Sequence, residues 1–314
     1  PATNGAETAS VGADAEASGE HVIEVKCFGN LRVSSNGRRL SPMLEGNGQY
    51  KGWEILAFLA SSDEAGISKG KVLAALWPDL DEDTAMNRLR VHMTRLRTAL
   101  ASQLPWLADD KADVIRCDRD GVCRLDTNII RSDVHEFIRL RDALAHQALE
   151  EARDSYELLD DLYDGDLLDE PGYFWVNERD ERGLTPSDRY RRDYRNATTA
   201  LAQRCRREGR ADMAIPLYQN LLALDPTDED VLADLYHCYA EAGDLDGLMR
   251  EEQHFREALR NLFADDDETA RAAPPQPGPA IAGVYNQIRQ NLEEQRRRQH
   301  EPVRPPLRSI AGGR

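Results

Sequence analysis

ISKGKVLAALWPDLDEDTAMNRLRVHMTRLRTAL, residues 67–100, is the stretch on which the fold turns. Ser68 stands where a helix N-cap belongs, and Pro78 forbids continuation, so Ser68 to Trp77 reads as one short helix. A second helix is expected over Asp83 to Ala101, with Leu89, Met93, Leu96 and Leu100 recurring at steps of 4, 3 and 4. That spacing puts all four on one stripe facing a core. Arg88, Val91, Thr94 and Arg95 then project from the opposite side, flanked by Asn87, Arg90, His92 and Arg97. Between Met86 and Leu100 there are four arginines and no carboxylate. A slim cationic helix face fits the major groove, where arginine bonds guanine bidentately and a small apolar side chain such as Val91 touches a thymine methyl. Arg97, near the C-terminal end, is better placed for phosphate.

Outward from this pair, Lys51 to Ser61 is a further helix candidate, with Trp53, Leu56, Ala57 and Leu59 apolar. Before it come the β-type runs Val22 to Cys27, Leu31 to Ser34 and Arg38 to Leu40, the last two joined by the turn Asn36-Gly37. After it, Val114 to Cys117 and Val122 to Leu125 bracket Asp118-Arg119-Asp120-Gly121, whose Asp-Gly step is strong hairpin chemistry. A small antiparallel sheet, three helices and a hairpin make a winged helix. The hairpin arginines Arg116, Arg119 and Arg124 would be the wing's reach to a DNA backbone, partly cancelled by Asp118 and Asp120.

Beyond Ser132, itself an N-cap candidate, the period is helical: Val134, Phe137, Ile138, Leu140 and Leu144 open it, with helices at Asp133 to Ala145, Leu149 to Leu162 and Ser187 to Glu208. Gly209 and Gly243 lie 34 residues apart, each between two amphipathic helices. Ala214, Tyr218, Leu221 and Pro226 fall where a tetratricopeptide repeat places its small, aromatic, apolar and terminating residues, and Leu232, Leu235, Tyr236 and Tyr239 open the next repeat in register. A last helix, Ile281 to Glu294, is expected to dock back through Val284, Tyr285, Ile288 and Leu292. The fold class expected is therefore α+β: an N-terminal winged helix-turn-helix followed by an all-α tetratricopeptide-like domain. The segments expected are a disordered linker over 1–21, the winged helix over 22–127, the helical domain over 128–264, an acidic and proline-rich connector over 265–279, the docking helix over 280–295 and a disordered tail over 296–314.

The 314 residues carry a net charge of −17, which at first argues against nucleic acid, since backbone binding needs clustered Lys and Arg. The distribution answers this. Val22 to Asp126 holds 15 Lys and Arg against 15 Asp and Glu, so that region is neutral and its arginines are clustered. With 40% hydrophobic and 31% charged residues and no apolar run of membrane-spanning length, the segment is expected to be soluble and to make no membrane contact itself. Five scattered cysteines with no CxxC and no Cys/His cluster indicate neither a disulfide framework nor a metal, and fit a reducing compartment. Cys117 and Cys123 could face each other across the hairpin; two ordinary strand positions is the reading taken. The first twenty residues, rich in Ala, Gly, Ser, Glu and Asp and starting without Met, read as a linker, so the chain is expected to be part of a longer protein.

Two pieces carry a family resemblance. Ile67-Ser68-Lys69-Gly70-Lys71-Val72-Leu73-Ala74-Ala75-Leu76-Trp77-Pro78 resembles the positioning helix, and Asn87 to Leu100 the recognition helix, of the antibiotic regulatory protein (SARP/AfsR) type of bacterial activators. In that family a winged helix like that of PhoB/OmpR response regulators is followed by a bacterial transcriptional activation domain. The match runs from about Ile23 to Phe263. The resemblance implies base or phosphate contacts for Arg88, Val91, Thr94, Arg95 and Arg97. It also implies that the loop Trp77 to Asp83, with Asp79, Asp81 and Glu82, faces RNA polymerase. This sequence departs from the family in its wing ending, Gly121-Val122-Cys123-Arg124-Leu125, and in that acidic loop.

The function expected is DNA-binding transcription regulation, with double-stranded DNA as partner, RNA polymerase contacts, dimerisation, and a protein or small-molecule signal at the helical domain. A cytoplasmic location follows, including the cytosolic part of a membrane-anchored protein. The alternative is a protein-interaction scaffold or ligand sensor whose winged helix does not bind DNA. No catalytic, cofactor or metal residue is assigned. The carboxylates Asp160, Asp161, Asp164, Asp166, Asp169 and Glu170 match no EF-hand and lack a nucleophile, and no GxxxxGK[ST], GxGxxG, GxSxG or HExxH string occurs. They read as a solvated loop or partner surface.

Overall fold

The computed structural model describes residues 21–41, 51–109, 113–263 and 276–300. Residues 1–20 of the expected linker, 265–275 of the expected connector and 301–314 of the expected tail lie outside them. The chain divides into two compact units between Asp193 and Tyr194.

In the first unit, β1 (Ile23–Lys26), β2 (Arg32–Ser35) and β3 (Arg38–Arg39) form an antiparallel meander with Val25 opposite Val33. Asn36 and Gly37 both take positive φ, 51° and 73°, as the two-residue hairpin turn foreseen there requires. Ile23, Val25 and Val33 point inward. Helix α1 (Lys51–Ala60) is buried from Gly52 to Ala60, so it is a core helix wrapped on every side. Then come β4 (Ile67–Ser68), α2 (Lys69–Leu76), α3 (Glu82–Gln103), the short α4 (Pro105–Asp109), and the strands β5 (Ile115–Cys117) and β6 (Val122–Leu125). β6 lies between β4 and β5 in a second small sheet.

Three features escaped the sequence reading. β7 (Ile130–Ser132) pairs parallel to β1, extending the first sheet to the order β3-β2-β1-β7. Helices α5 (Asp133–Leu144) and α6 (Leu149–Leu162) pack in the same unit as the sheet, as does the start of α7 (Pro186–Arg207). The division expected at 127/128 thus falls inside the first compact unit. The cause is aromatic: Phe28, just after β1, meets Phe137, Tyr163 and Tyr190 edge-on with centroids 5.2–5.6 Å apart. Third, Cys117 and Cys123 are disulfide-bonded, because the β5–β6 register sets them directly opposite.

Asp133 ties α5 to the sheet. Its carboxylate, buried, accepts the backbone N–H groups of Cys27, Phe28 and Val134 at 2.8–2.9 Å. Burial outweighs these donors and lifts its pKa from 3.8 to about 6. The folded protein therefore holds this proton more tightly than the unfolded chain. Stability from this group is full below pH 3.8 and is lost as pH rises through about 6. The difference in unfolding free energy between wild type and Asp133→Asn should fall across that window and level off above it; a flat difference in urea melts contradicts this.

The second unit is helical: the rest of α7, then α8 (Ala211–Leu224), α9 (Glu229–Ala242), α10 (Leu245–Phe263) and α11 (Pro279–His300). Gly209 and Gly243, the residues that set the 34-residue period, take φ of 73° and 69° and close α7 and α9 in the left-handed conformation. Ala214, Tyr218, Leu221, Leu232, Leu235 and Tyr236 are buried where α8 and α9 pack together. Arg206 of α7 donates to Asp234 and Glu241 of α9 at 2.7 and 3.0 Å. Helix α11 buries Ile281, Tyr285, Ile288 and Leu292 against α9 and α10, and the Gly278 N–H before it donates to Glu229. It runs to His300, further than the docking helix expected, so the first residues of the expected tail are helical.

Candidate nucleic-acid interface

Ser68 caps α2 by accepting the Lys71 N–H, and Trp77 ends it before Pro78. Asp81 caps α3, its carboxylate taking the Thr84 N–H at 2.9 Å. The same hydrogen bond holds the Asp81 carboxyl below its ordinary range. Asp79, Asp81 and Glu82 are all exposed, and Asp81 serves the fold as this cap.

On α3, Ala85, Leu89, Leu96, Ala99 and Leu100 are buried, which fixes the opposite face outward. Asn87, Arg88, Arg90, Thr94 and Arg95 are exposed there, and Val91 is 48% exposed. Among the described residues, Arg88, Arg90 and Arg95 have no carboxylate partner, whereas Arg97, Arg116, Arg124, Arg141, Arg191, Arg195 and Arg206 are all in ion pairs. The Thr94 hydroxyl donates to the Arg90 carbonyl, which satisfies it within the helix.

Two of the expected contact residues are placed otherwise. His92 is half-buried, its ring stacked on Trp77 with centroids 6.0 Å apart, and Lys51 lies over the same indole at 5.4 Å. Burial first, then Arg95, Lys51 and Arg88, push its pKa down, so it is a neutral packing residue between α3 and the end of α2. Arg97 turns from the outer face to the Ile115 carbonyl at 3.1 Å and Asp113 at 3.0 Å. It anchors α3 to β5, the first strand of the hairpin.

In the β5–β6 hairpin, Arg116 pairs with Asp126 and Arg124 with Asp118. Asp118 also accepts the Val122 N–H, which is the main reason its carboxyl stays below the usual range. Arg119, exposed at the turn, is the hairpin cation with no partner among the described residues. The Lys69 N–H donates to the Gly121 carbonyl, so the first turn of α2 sits beside this tip. Lys69 and Lys71 likewise have no carboxylate partner among the described residues, and sequence reasoning passed over them. The available signal was two lysines in the first turn after an N-cap serine, a place where backbone N–H groups favour anions.

Gly66 fixes how β6 lies: its φ is 102°, and a Cβ there would stand 2.7 Å from Val122 Cγ1 and 2.9 Å from the Cys123 carbonyl. Gly66→Ala should cost about 3 kcal/mol, from left-handed backbone plus the clash. Chemical denaturation checks it; a loss under about 1 kcal/mol would mean the strand has room to move.

The carboxylates of 160–170 serve structure as well. Asp164 pairs with Arg32, Asp166 with Arg191, and Glu170 accepts the Leu31 N–H. They fasten this loop beside residues 27–32, where Gly29 N–H donates to the Asp166 carbonyl and Leu168 N–H to the Cys27 carbonyl.

The fold is thus mixed α+β: a small N-terminal sheet with helices, followed by a mostly helical region with a tetratricopeptide-like repeat. The tetratricopeptide repeat family model matches residues 206–247, spanning the end of α7, all of α8 and α9, and the start of α10. Among solved structures the chain is similar to Mycobacterium tuberculosis EmbR in complex with a low affinity phosphopeptide. The likeness has a TM-score of 0.51 at 17% identity and covers 88% of this chain and 68% of that one. At that identity it speaks to fold alone. The curated proteins contain no match. Among the described residues no helix is long and apolar enough to cross a membrane.

Proposed function

We propose that the chain is a non-enzymatic, cytoplasmic transcription regulator of the SARP type, which reads double-stranded DNA by placing α3 in the major groove. The observation that carries this is the outer face of α3. Arg88, Arg90 and Arg95 stand exposed and unpaired, among the described residues, around a half-exposed Val91, in a chain of net charge −17 where carboxylates take up many other arginines. Three exposed arginines with no carboxylate among them, gathered on one helix around a small apolar side chain, suit guanine edges and a thymine methyl. Arg119, Lys69 and Lys71 would add phosphate contacts that set register without carrying sequence information. Asp79, before α3, and Glu82, its first residue, both exposed, are the proposed contact with RNA polymerase.

The repeat unit is the proposed input. Stacked helical repeats build extended surfaces for other proteins, and the structurally similar EmbR is described with a bound phosphopeptide. A protein partner there, or a second copy of this chain, would couple DNA binding to a signal.

Selection from a random-sequence duplex pool with the full chain tests the reading. The expected result is enrichment of a short motif containing guanines, with affinity falling steeply as salt rises. No enrichment and no retention at low salt, with a stable protein partner captured, favours the alternative of an interaction scaffold.

A further inference from the structure

Cys117 and Cys123 occupy a place that the DNA-reading geometry does not use. Cys117 ends β5, an edge strand, and is half-buried; Cys123 lies in β6, the central strand, and is 1% exposed. Their bond closes the hairpin directly below the turn that carries Arg119. From that pair, contacts lead both ways. Arg97 of α3 holds the Ile115 carbonyl on β5, and Lys69 at the start of α2 holds the Gly121 carbonyl. β6 is clamped by Gly66 and by its ladder to β4, so it is the fixed side. β5 is the edge strand, held by β6, by Arg97 and by the pairing of Arg116 with Asp126, and it is the side that the covalent link further restrains.

We propose that Cys117 and Cys123 form a reversible thiol–disulfide exchange site, whose co-substrate is a dithiol or glutathione-class reductant and whose closed form holds the wing for DNA. The chemistry needs no group from the rest of the chain. A reductant thiolate attacks the Sγ of Cys117, the less buried of the two, the S–S bond breaks, and Cys123 leaves as a thiolate that takes a proton. A second reductant thiol resolves the mixed disulfide and frees Cys117. Two electrons and two protons pass to the protein, and the reductant leaves as its disulfide.

The other cysteines are poor competitors. Cys27, Cys205 and Cys238 are buried, and burial raises all three thiols, Cys238 to about 12 and Cys27 far above the ordinary value. Thiolates are the reactive form, so redox chemistry is confined to the wing. The effect on DNA affinity rests on the function proposed above; the exchange chemistry does not.

The test uses the full chain, held oxidised or reduced with dithiothreitol, then alkylated with iodoacetamide without denaturant. Mass spectrometry should find no label on the oxidised form. After reduction it should find label on Cys117, and on Cys123 as the loosened β5 uncovers it, while Cys27, Cys205 and Cys238 stay unlabelled. Amide exchange over 114–125 should quicken on reduction. Binding to a random-sequence duplex at low salt should weaken about three- to tenfold, with the salt slope lowered by roughly one unit as the Arg119 contact is lost. Cys117→Ser/Cys123→Ser should match the reduced protein and ignore the reagent. Label on both residues without reductant, or wing exchange that is the same in both states, overturns the proposal. So does a redox response that persists in the double variant. If neither form holds DNA, the DNA reading fails while alkylation and exchange still decide the thiol site.

Discussion

Replacing Arg88 and Arg95 together by alanine should abolish sequence-specific DNA binding while leaving the fold intact. Each bidentate arginine–guanine contact supplies about 1–3 kcal/mol of discrimination, so losing two costs roughly 2–6 kcal/mol, or between about thirtyfold and ten-thousandfold in affinity. Both side chains are exposed and, among the described residues, bonded to nothing. Their removal opens no cavity and orphans no partner, so the melting temperature should stay within about 2 °C, as expected of surface substitutions. Arg97→Ala should behave differently. Its guanidinium holds the Ile115 carbonyl and Asp113, so that change should loosen the wing and cost stability as well as affinity. Mobility shifts and thermal melts on the same three proteins separate the two roles. Equal loss of binding for all three with no stability difference would mean that Arg97, too, acts on DNA.

The second large effect belongs to the repeat unit. A repeat cannot bury its own apolar face, so the last helix of a stack must cover the one before it. Helix α11 does this with Ile281, Tyr285, Ile288 and Leu292 inward, while Asn286, Gln287, Arg289 and Gln290 face out. Ile288→Asp would place an uncompensated carboxylate among Tyr285, Leu292 and the facing residues of α9 and α10. The cost expected is about 4 kcal/mol, enough to lower that unit's melting transition by more than about 15 °C. Gln287→Asp, one residue away on the outer face, should change it by less than about 2 °C. Similar shifts for the two would mean that α11 does not cap the stack.

Much of this architecture could be read from the sequence because the decisive signals are local. The step of Leu89, Leu96 and Leu100 sets which face of α3 is free, Asn36-Gly37 and Asp120-Gly121 set two turns, and Gly209 and Gly243 set the repeat. What was missed depends on partners distant in sequence. Ile130 to Ser132 is too short to signal a strand, and its pairing with β1 is decided by the aromatic contacts that bring α5 to the sheet. β4 is two residues whose strand character comes from β6 alone. His92 and Arg97 share the charge pattern of their neighbours; only Trp77 for one and Ile115 for the other show that they face the protein. The cysteine pair needed the hairpin register, since a slip of one residue would put the two side chains on opposite faces.

The proposed function depends on α3 reading base edges in the major groove. Guanine N7 methylation places a methyl group where the Arg88 and Arg95 forks would dock, so interference by that modification on the selected duplex is the most direct measurement. Methylation at one or more guanines of the motif should abolish binding by the wild-type chain and no longer matter to the residual binding of Arg88→Ala/Arg95→Ala. Wild-type binding that is indifferent to N7 methylation throughout the site, while still lost when phosphates are ethylated, would contradict base reading by α3.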